Sequence, residues 1–240
     1  MGQEVGILEN DLKVRARDGA MLPAFLAEPP GVEDAPLIVV APEFFGLTPW
    51  VRSATRGLAR EGFRAVAVEI FARDPLPEGA TIGQVRDRMG RLSVPGAVSD
   101  LRCALDHVEV SGEKLGAIGF CMGGMLSLLL AADGRRLDGA VSCYGSLRHA
   151  GPPDASRPES ALDAIGRALC PVLGVYGRKD SSIPLADVNE LQSRLGNRGE
   201  VALYDAGHAF LNDTRRELYE PAQAALAWAK IFGFFRRTLT

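Results

Sequence analysis

One thiol in the chain stands in a setting built for nucleophilic chemistry. Gly119-Phe120-Cys121-Met122-Gly123 follows the pattern Gly-x-nucleophile-x-Gly, with Cys at the centre. A chain that turns sharply from strand to helix while exposing the central side chain strains that residue's backbone. Glycines two positions before and two after leave room for the turn. The turn also places the sulfur at a helix N-terminus, where the macrodipole favours thiolate. The backbone N–H of Met122 is then aimed at a developing oxyanion. The competing account is a small apolar cysteine packed under a glycine-rich turn, as free cysteines often are. The position between a strand-like and a helix-like segment, with Asp and His downstream, favours the nucleophile.

Three histidines compete for the base. His107 lies in the helical pattern CALDHVEV and His149 in a loop before GPPDASRP, reaching the rim at most. His208 follows Gly207 on a loop after a late apolar run, the place that the order nucleophile–Asp–His requires. Asp180 closes Gly177-Arg178-Lys179-Asp180 and is the better orienter of an imidazole than Asp187, inside a helix, or Asp213. Glu43 directly follows another apolar run. It is either a helix cap or a base toward the thiol, and Thr48-Pro49 can start the next helix without it. Beside Phe44 and Phe45 its proton affinity is expected to be raised by desolvation.

The elements that must position these residues alternate along the chain. LKVRA and AFLAE around Asp18-Gly19 predict an opening hairpin. Apolar runs at 36–41, 65–69, 115–120, 139–145, 172–177 and 201–206 predict strands, the first buried on both faces. Helical patterns run from Pro49 to Glu61, over 97–109, from Met122 to Ala132, around 185–195 and from about 216 onward. This alternation predicts an α/β fold, a mostly parallel doubly wound sheet flanked by helices, with residues 1–240 as a single domain. Residues 74–96, rich in Pro, Gly and charge, form the one insertion-like stretch. They are expected to hold a short helix near Gln84–Arg91 and to lie over the site as a cap. Ligands of such sheets sit at the carboxyl ends of the strands, where Glu43, Cys121, Asp180 and His208 all fall.

Bulk properties narrow the partners. With 240 residues, 47% hydrophobic and 24% charged, and net charge −3, the chain has the composition of a globular protein. It lacks the basic balance that nucleic acid or an anionic membrane demands. The four cysteines make no C-x-x-C pair, which with scattered histidines argues against a metal, and no cofactor is expected. The acidic start MGQEVGILENDLKV is unlike a signal peptide, and MLSLLLAA is too short to span a bilayer. A cytoplasmic protein with reduced thiols, a monomer or small homo-oligomer acting on a small molecule, is the expectation.

At this point the residues resemble the dienelactone hydrolases of the α/β-hydrolase superfamily. The markers are Glu43-Phe44-Phe45-Gly46, Phe71-Ala72-Arg73, Gly119-Phe120-Cys121-Met122-Gly123-Gly124, Tyr144-Gly145, Asp180 and Ala206-Gly207-His208-Ala209-Phe210, over nearly the whole chain. The resemblance implies a Cys121–His208–Asp180 triad that opens an enol-lactone through an acyl-enzyme. It implies that Glu43 holds the thiol at rest and takes its proton when substrate displaces it, with the N–H groups of Met122 and Phe44 as oxyanion hole. Phe45 and Tyr144 would contact substrate. In such enzymes an Arg four residues after the triad His grips the substrate carboxylate; here that place is Asn212, and the cap arginine would be Arg86 or Arg88. Asn cannot replace a bidentate Arg–carboxylate pair. The reading is therefore a hydrolase of carboxylic esters or lactones. A promiscuous esterase or thioesterase, or a non-catalytic ligand- or redox-responsive protein on the same fold, are the alternatives.

Overall fold

The computed structural model describes residues 6–32, 34–149 and 151–240. Residues 1–5, where the acidic start begins, lie outside this range, so the expectation about a leader falls partly on residues not described.

The amino-terminal hairpin is β1 (Leu8–Arg15) and β2 (Met21–Glu28), paired antiparallel around the Asp18-Gly19 turn. The chain continues through β3 (Leu37–Ala41), α1 (Pro49–Arg60), β4 (Arg64–Val68), α2 (Ile82–Arg91) and α3 (Val94–Val108). Then come β5 (Leu115–Phe120), α4 (Met122–Ala132), β6 (Gly139–Cys143), the short α5 (Ala161–Ala164), β7 (Val172–Gly177), α6 (Leu185–Leu195), β8 (Gly199–Tyr204) and α7 (Pro221–Leu239). All eight strands form one sheet in the order β1-β2-β4-β3-β5-β6-β7-β8. β2 meets β4 antiparallel, and the remaining pairs from β4 to β8 are parallel, so the expected mixed α/β architecture is present.

Burial explains the sequence pattern. β3, β4, β5, β6 and β7 are buried at every position, as strands covered by helices on both faces must be. α4 is likewise buried at all eleven residues. Its glycines cost roughly 1 kcal/mol each in helix propensity, which burial of one leucine at about 1.5–3 kcal/mol outweighs. Ser127, buried in this helix, is satisfied by donating to the carbonyls of Gly124 and Val141.

Several boundaries differ from the sequence expectation by one or two residues, β6 among them, which ends at Cys143, and three have a visible cause or a clear shift. α3 starts at Val94, because Ser93 caps it by accepting from Gly96 N–H and Pro95 suits the first turn. α7 starts only at Pro221, a residue that cannot sit inside a helix without breaking it. β8 runs from Gly199 to Tyr204, ending before Asp205. Within 74–96, α2 carries a capping box between Thr81 and Gln84. Among the described residues no helix is long and apolar enough to cross a membrane.

Candidate active site

The carboxyl ends of β3, β5, β6, β7 and β8 bring Glu43, Cys121, Tyr144, Asp180 and His208 to one edge of the sheet. The turn at Cys121 is as tight as the sequence requires. A Cβ on Gly119 would stand 1.8 Å from the Gly123 carbonyl oxygen, and one on Gly123 would stand 2.1 Å from that of Ala41. Cys121 itself has φ 56°, the left-handed region that costs a non-glycine residue of order 1–3 kcal/mol. The other non-glycine residues with positive φ among those described are Tyr144 and Ala209, so the strain gathers at this edge.

The three central side chains form a relay. His208 Nδ1–H donates to Asp180 Oδ2 at 2.7 Å, and His208 Nε2 is hydrogen-bonded to Cys121 Sγ at 3.2 Å. Asp180 is fixed from behind: its other oxygen accepts from Ser182 N–H, and Lys179 N–H ties its turn to the Ala206 carbonyl at the end of β8. Burial pulls the His208 imidazole down, but the hydrogen bonds to Asp180 and Cys121, with their charges, overcome it and push it up to about 10. An imidazole so held can take a thiol proton and stabilise the resulting charge pair. The N–H groups of Met122 and Phe44 donate to no other described group.

The loop that carries Phe44 is anchored by a residue the sequence reading overlooked. Glu69, just past β4, accepts from Leu47 N–H at 2.8 Å and from Phe71 N–H at 2.9 Å. Gly46, at φ 86°, is required there because a Cβ would lie 2.4 Å from the Glu69 carboxylate. A carboxylate ending a buried strand was the available signal, the same one that drew notice to Glu43.

Several expected site residues take other places. Glu43 is buried, and its Oε2 accepts from Asn212 Nδ2–H at 2.9 Å, while Oε1 is buried without a partner. Burial raises the Glu43 carboxyl, against the Asn212 hydrogen bond and the charges of Arg215 and His208. The expectation that Glu43 holds the resting thiol is thus corrected: the thiol is on His208 and the carboxylate on Asn212. Asn212 is buried and spent on Glu43, not turned to a substrate. Arg88 is buried too; it donates to the Phe44 carbonyl at 3.2 Å and lies 4.0 Å over the Phe71 ring, behind the loop. Arg86 is exposed on α2. Tyr144 is fully buried, its ring 5.3 Å from that of His208 and its hydroxyl unpartnered. Phe45 is half-buried, with its ring 4.2 Å from that of Phe44 and 5.8 Å from the Arg215 guanidinium. Arg215 is a cation beside the site that sequence spacing missed.

The rival candidates stay away. His107 is exposed at the end of α3, His149 is bound to the Glu159 carbonyl, Asp187 pairs with Arg148, and Asp213 is exposed. Among the described residues no group of His, Cys, Asp and Glu is arranged to hold a metal.

Residues 22–239 match the dienelactone hydrolase family. The chain belongs to that family. A protein of Methylorubrum extorquens named "Putative carboxymethylenebutenolidase" is 31% identical over 97% of this chain and 82% of its own length. One of the same name from Salmonella typhimurium is 32% identical over 90% and 83%. The crystal structure of a "Putative Dienelactone Hydrolase" from Klebsiella pneumoniae superposes with a TM-score of 0.88 at 29% identity, covering 96% of this chain and 99% of that one. The family is one of hydrolases on the α/β fold described above.

Proposed function

We propose that this dienelactone hydrolase family member cleaves carboxylic esters or lactones through an acyl-enzyme on Cys121. The observation that carries the reading is the Cys121–His208–Asp180 relay, with contacts of 3.2 and 2.7 Å. The substrate carbonyl oxygen sits between the N–H groups of Met122 and Phe44, and Sγ attacks the carbonyl carbon as its proton passes to His208 Nε2. His208 then returns that proton to the leaving alkoxide, which in a lactone stays tethered as the ring opens. Water, deprotonated by His208, hydrolyses the thioester and restores the thiol. Asp180 keeps the imidazole in the useful tautomer throughout. The site is proposed to act without metal or cofactor, in a reducing cytoplasm that keeps the thiol free.

Mixing the protein with excess p-nitrophenyl acetate is expected to release a burst of about one nitrophenolate per molecule, followed by slower turnover. Cys121→Ala is expected to remove both phases while leaving far-UV circular dichroism and Tm in place. Turnover that survives this substitution would refute the assignment.

A second reading, an esterase that does not act on dienelactone, is favoured by one observation: Asn212, where a carboxylate-gripping Arg would stand, is buried against Glu43. Comparing kcat/KM for cis-dienelactone and a neutral aryl ester separates the two readings. A large preference for the anionic lactone would refute the second.

A further inference from the structure

The sheet ends in two outer strands, β1 and β8, and they are finished differently. Side chains close β8. Gln192 of α6 accepts from Val201 N–H at 2.8 Å and donates to the Gly199 carbonyl at 3.4 Å, and Gln223 accepts from Asp205 N–H at 3.2 Å. Among the described residues nothing comparable closes β1. Ala16 N–H donates to the Ala20 carbonyl at the hairpin turn, so with the β1–β2 register Leu8, Asn10, Leu12 and Val14 are the residues bonded to β2. The backbone N–H and C=O groups of Glu9, Asp11, Lys13 and Arg15 therefore point outward, and no described group is bonded to them. Pro23, opposite Lys13, agrees with this alternation, because it has no N–H to give there. All four of these residues are exposed, and such an open ladder is a template for a further strand.

Side chains decide which strand fits. In order along β1 the outward-bonding residues are two acids followed by two bases. A second copy of β1 running antiparallel, with Leu12 facing Leu12 on a twofold axis, sets Glu9 against Arg15 and Asp11 against Lys13, and the axis repeats both pairs. Moving the axis by one residue sets Asp11 on Asp11 or Lys13 on Lys13. An axis between two residues sets outward-bonding residues against inward-bonding ones and breaks the ladder. Within one copy Asp11 and Glu9 are held by Arg52 at 2.7 Å and Arg56 at 2.9 Å, whereas Lys13 and Arg15 make no ion pair among the described residues. Charges on an outer strand ordinarily repel other chains. Here their order repels unmatched strands and accepts the strand itself.

We propose that β1 is a self-complementary outer strand through which two copies of this chain join as a twofold dimer, continuing the sheet from one copy into the next across Leu12. Pairing of one strand is small beside the roughly 1,200–2,000 Å² of stable interfaces, so the dimer dissociates on dilution. The proposal makes no use of the reading of Cys121.

The test is sedimentation velocity on the full chain from about 1 to about 100 μM, a range matched to a weak interface. The wild type is expected to pass from monomer to dimer across it. Two double variants make the strand single-signed: Glu9→Lys with Asp11→Lys, and Lys13→Glu with Arg15→Glu. Each alone is expected to dimerise at least about tenfold more weakly, because like charges then stand directly opposite one another. Mixed in equal amounts they are expected to recover a dimer, seen by native mass spectrometry as one copy of each, since every cross-strand pair is again of opposite sign. A wild type that stays monomeric throughout overturns the proposal, as does a dimer that both variants retain. Two monomeric variants whose mixture also stays monomeric overturn it too. Thermal melts check folding, because the acid-to-base variant gives up the ties to Arg52 and Arg56. If it does not fold, the base-to-acid variant decides alone: a monomer at about 100 μM supports the proposal, and an undiminished dimer overturns it.

Discussion

Glu43 and His208 both hold their protons more tightly in the folded state, the first through burial and the second through its hydrogen-bond partners. Burial raises the Glu43 carboxyl, so the folded state binds its proton more tightly than the unfolded state does. Its contribution therefore turns destabilising as pH rises above the ordinary value of 4.5. Glu43→Gln, which keeps an acceptor for Asn212, is expected to raise Tm at pH 8, with the gain shrinking as pH falls toward 4.5. A gain independent of pH would contradict the burial argument. His208 shifts in the same direction for another reason: its hydrogen bonds to Asp180 and Cys121 outweigh burial and raise its folded-state proton affinity to about 10 from 6.5. That stabilisation is full below pH 6.5 and is lost as pH rises through about 10. The Tm gap between wild type and His208→Gln is thus expected to narrow from pH 6 to pH 10, checked by thermal melts across that range. Of these residues the sequence displayed Cys121, Asp180 and His208 plainly, because the strained turn and the ends of apolar strands have local signatures. The Asn212–Glu43 pairing joins residues 169 positions apart, and no local pattern carries such a contact.

Glycines divide the elements into those that tolerate a side chain and those that do not. Gly57 lies within α1, and a Cβ there would meet nothing within 4 Å. Gly57→Ala is expected to stabilise the protein by about 0.5–1 kcal/mol, read from the urea midpoint, through helix propensity and reduced unfolded-chain entropy. Gly123→Ala, on the first turn of α4, would force α4 away from the Ala41 carbonyl and is expected to abolish both folding yield and the acyl burst. Element type and order were legible from period and punctuation, while ends were not. α3 gained three residues at its start because Ser93 caps it, whereas Pro221 delayed α7. The 74–96 segment shows the same division. Its helix was visible, yet that Arg88 would be buried against the Phe44 loop while Arg86 faced solvent depends on how α2 docks.

Across the whole molecule the two edges of the sheet have different work. The carboxyl edge holds strained backbone and unpaired buried atoms, and the amino edge holds a satisfied ion cluster. Arg64, at the start of β4, donates to Glu28 at 2.7 Å, to Glu113 at 3.0 Å and to the Val108 carbonyl at 2.9 Å. Arg64→Ala strands the buried Glu113 carboxylate and is expected to cost about 3–5 kcal/mol in urea unfolding. The acyl burst per folded molecule should stay unchanged, since the cluster lies at the far end of the strands from Cys121. A burst lost in proportion to stability would mean that the two edges are coupled. The parallel sheet itself was readable because strands covered on both faces are forced to be continuously apolar, which no amphipathic element imitates.

The anchoring of the Phe44 loop has a consequence for redesign. Glu69 ties Leu47 to Phe71, Arg88 stacks on Phe71, and the same arginine returns to the Phe44 carbonyl, which closes a ring of contacts. A ring has no free end, so loosening any member slackens the hydrogen-bond donor at Phe44. Attempts to admit bulkier acyl groups are therefore best begun at Phe45. It is half-buried and belongs to none of these ties, so trimming it is expected to leave the proposed oxyanion donor at Phe44 in place, at the cost of its ring packing on Phe44.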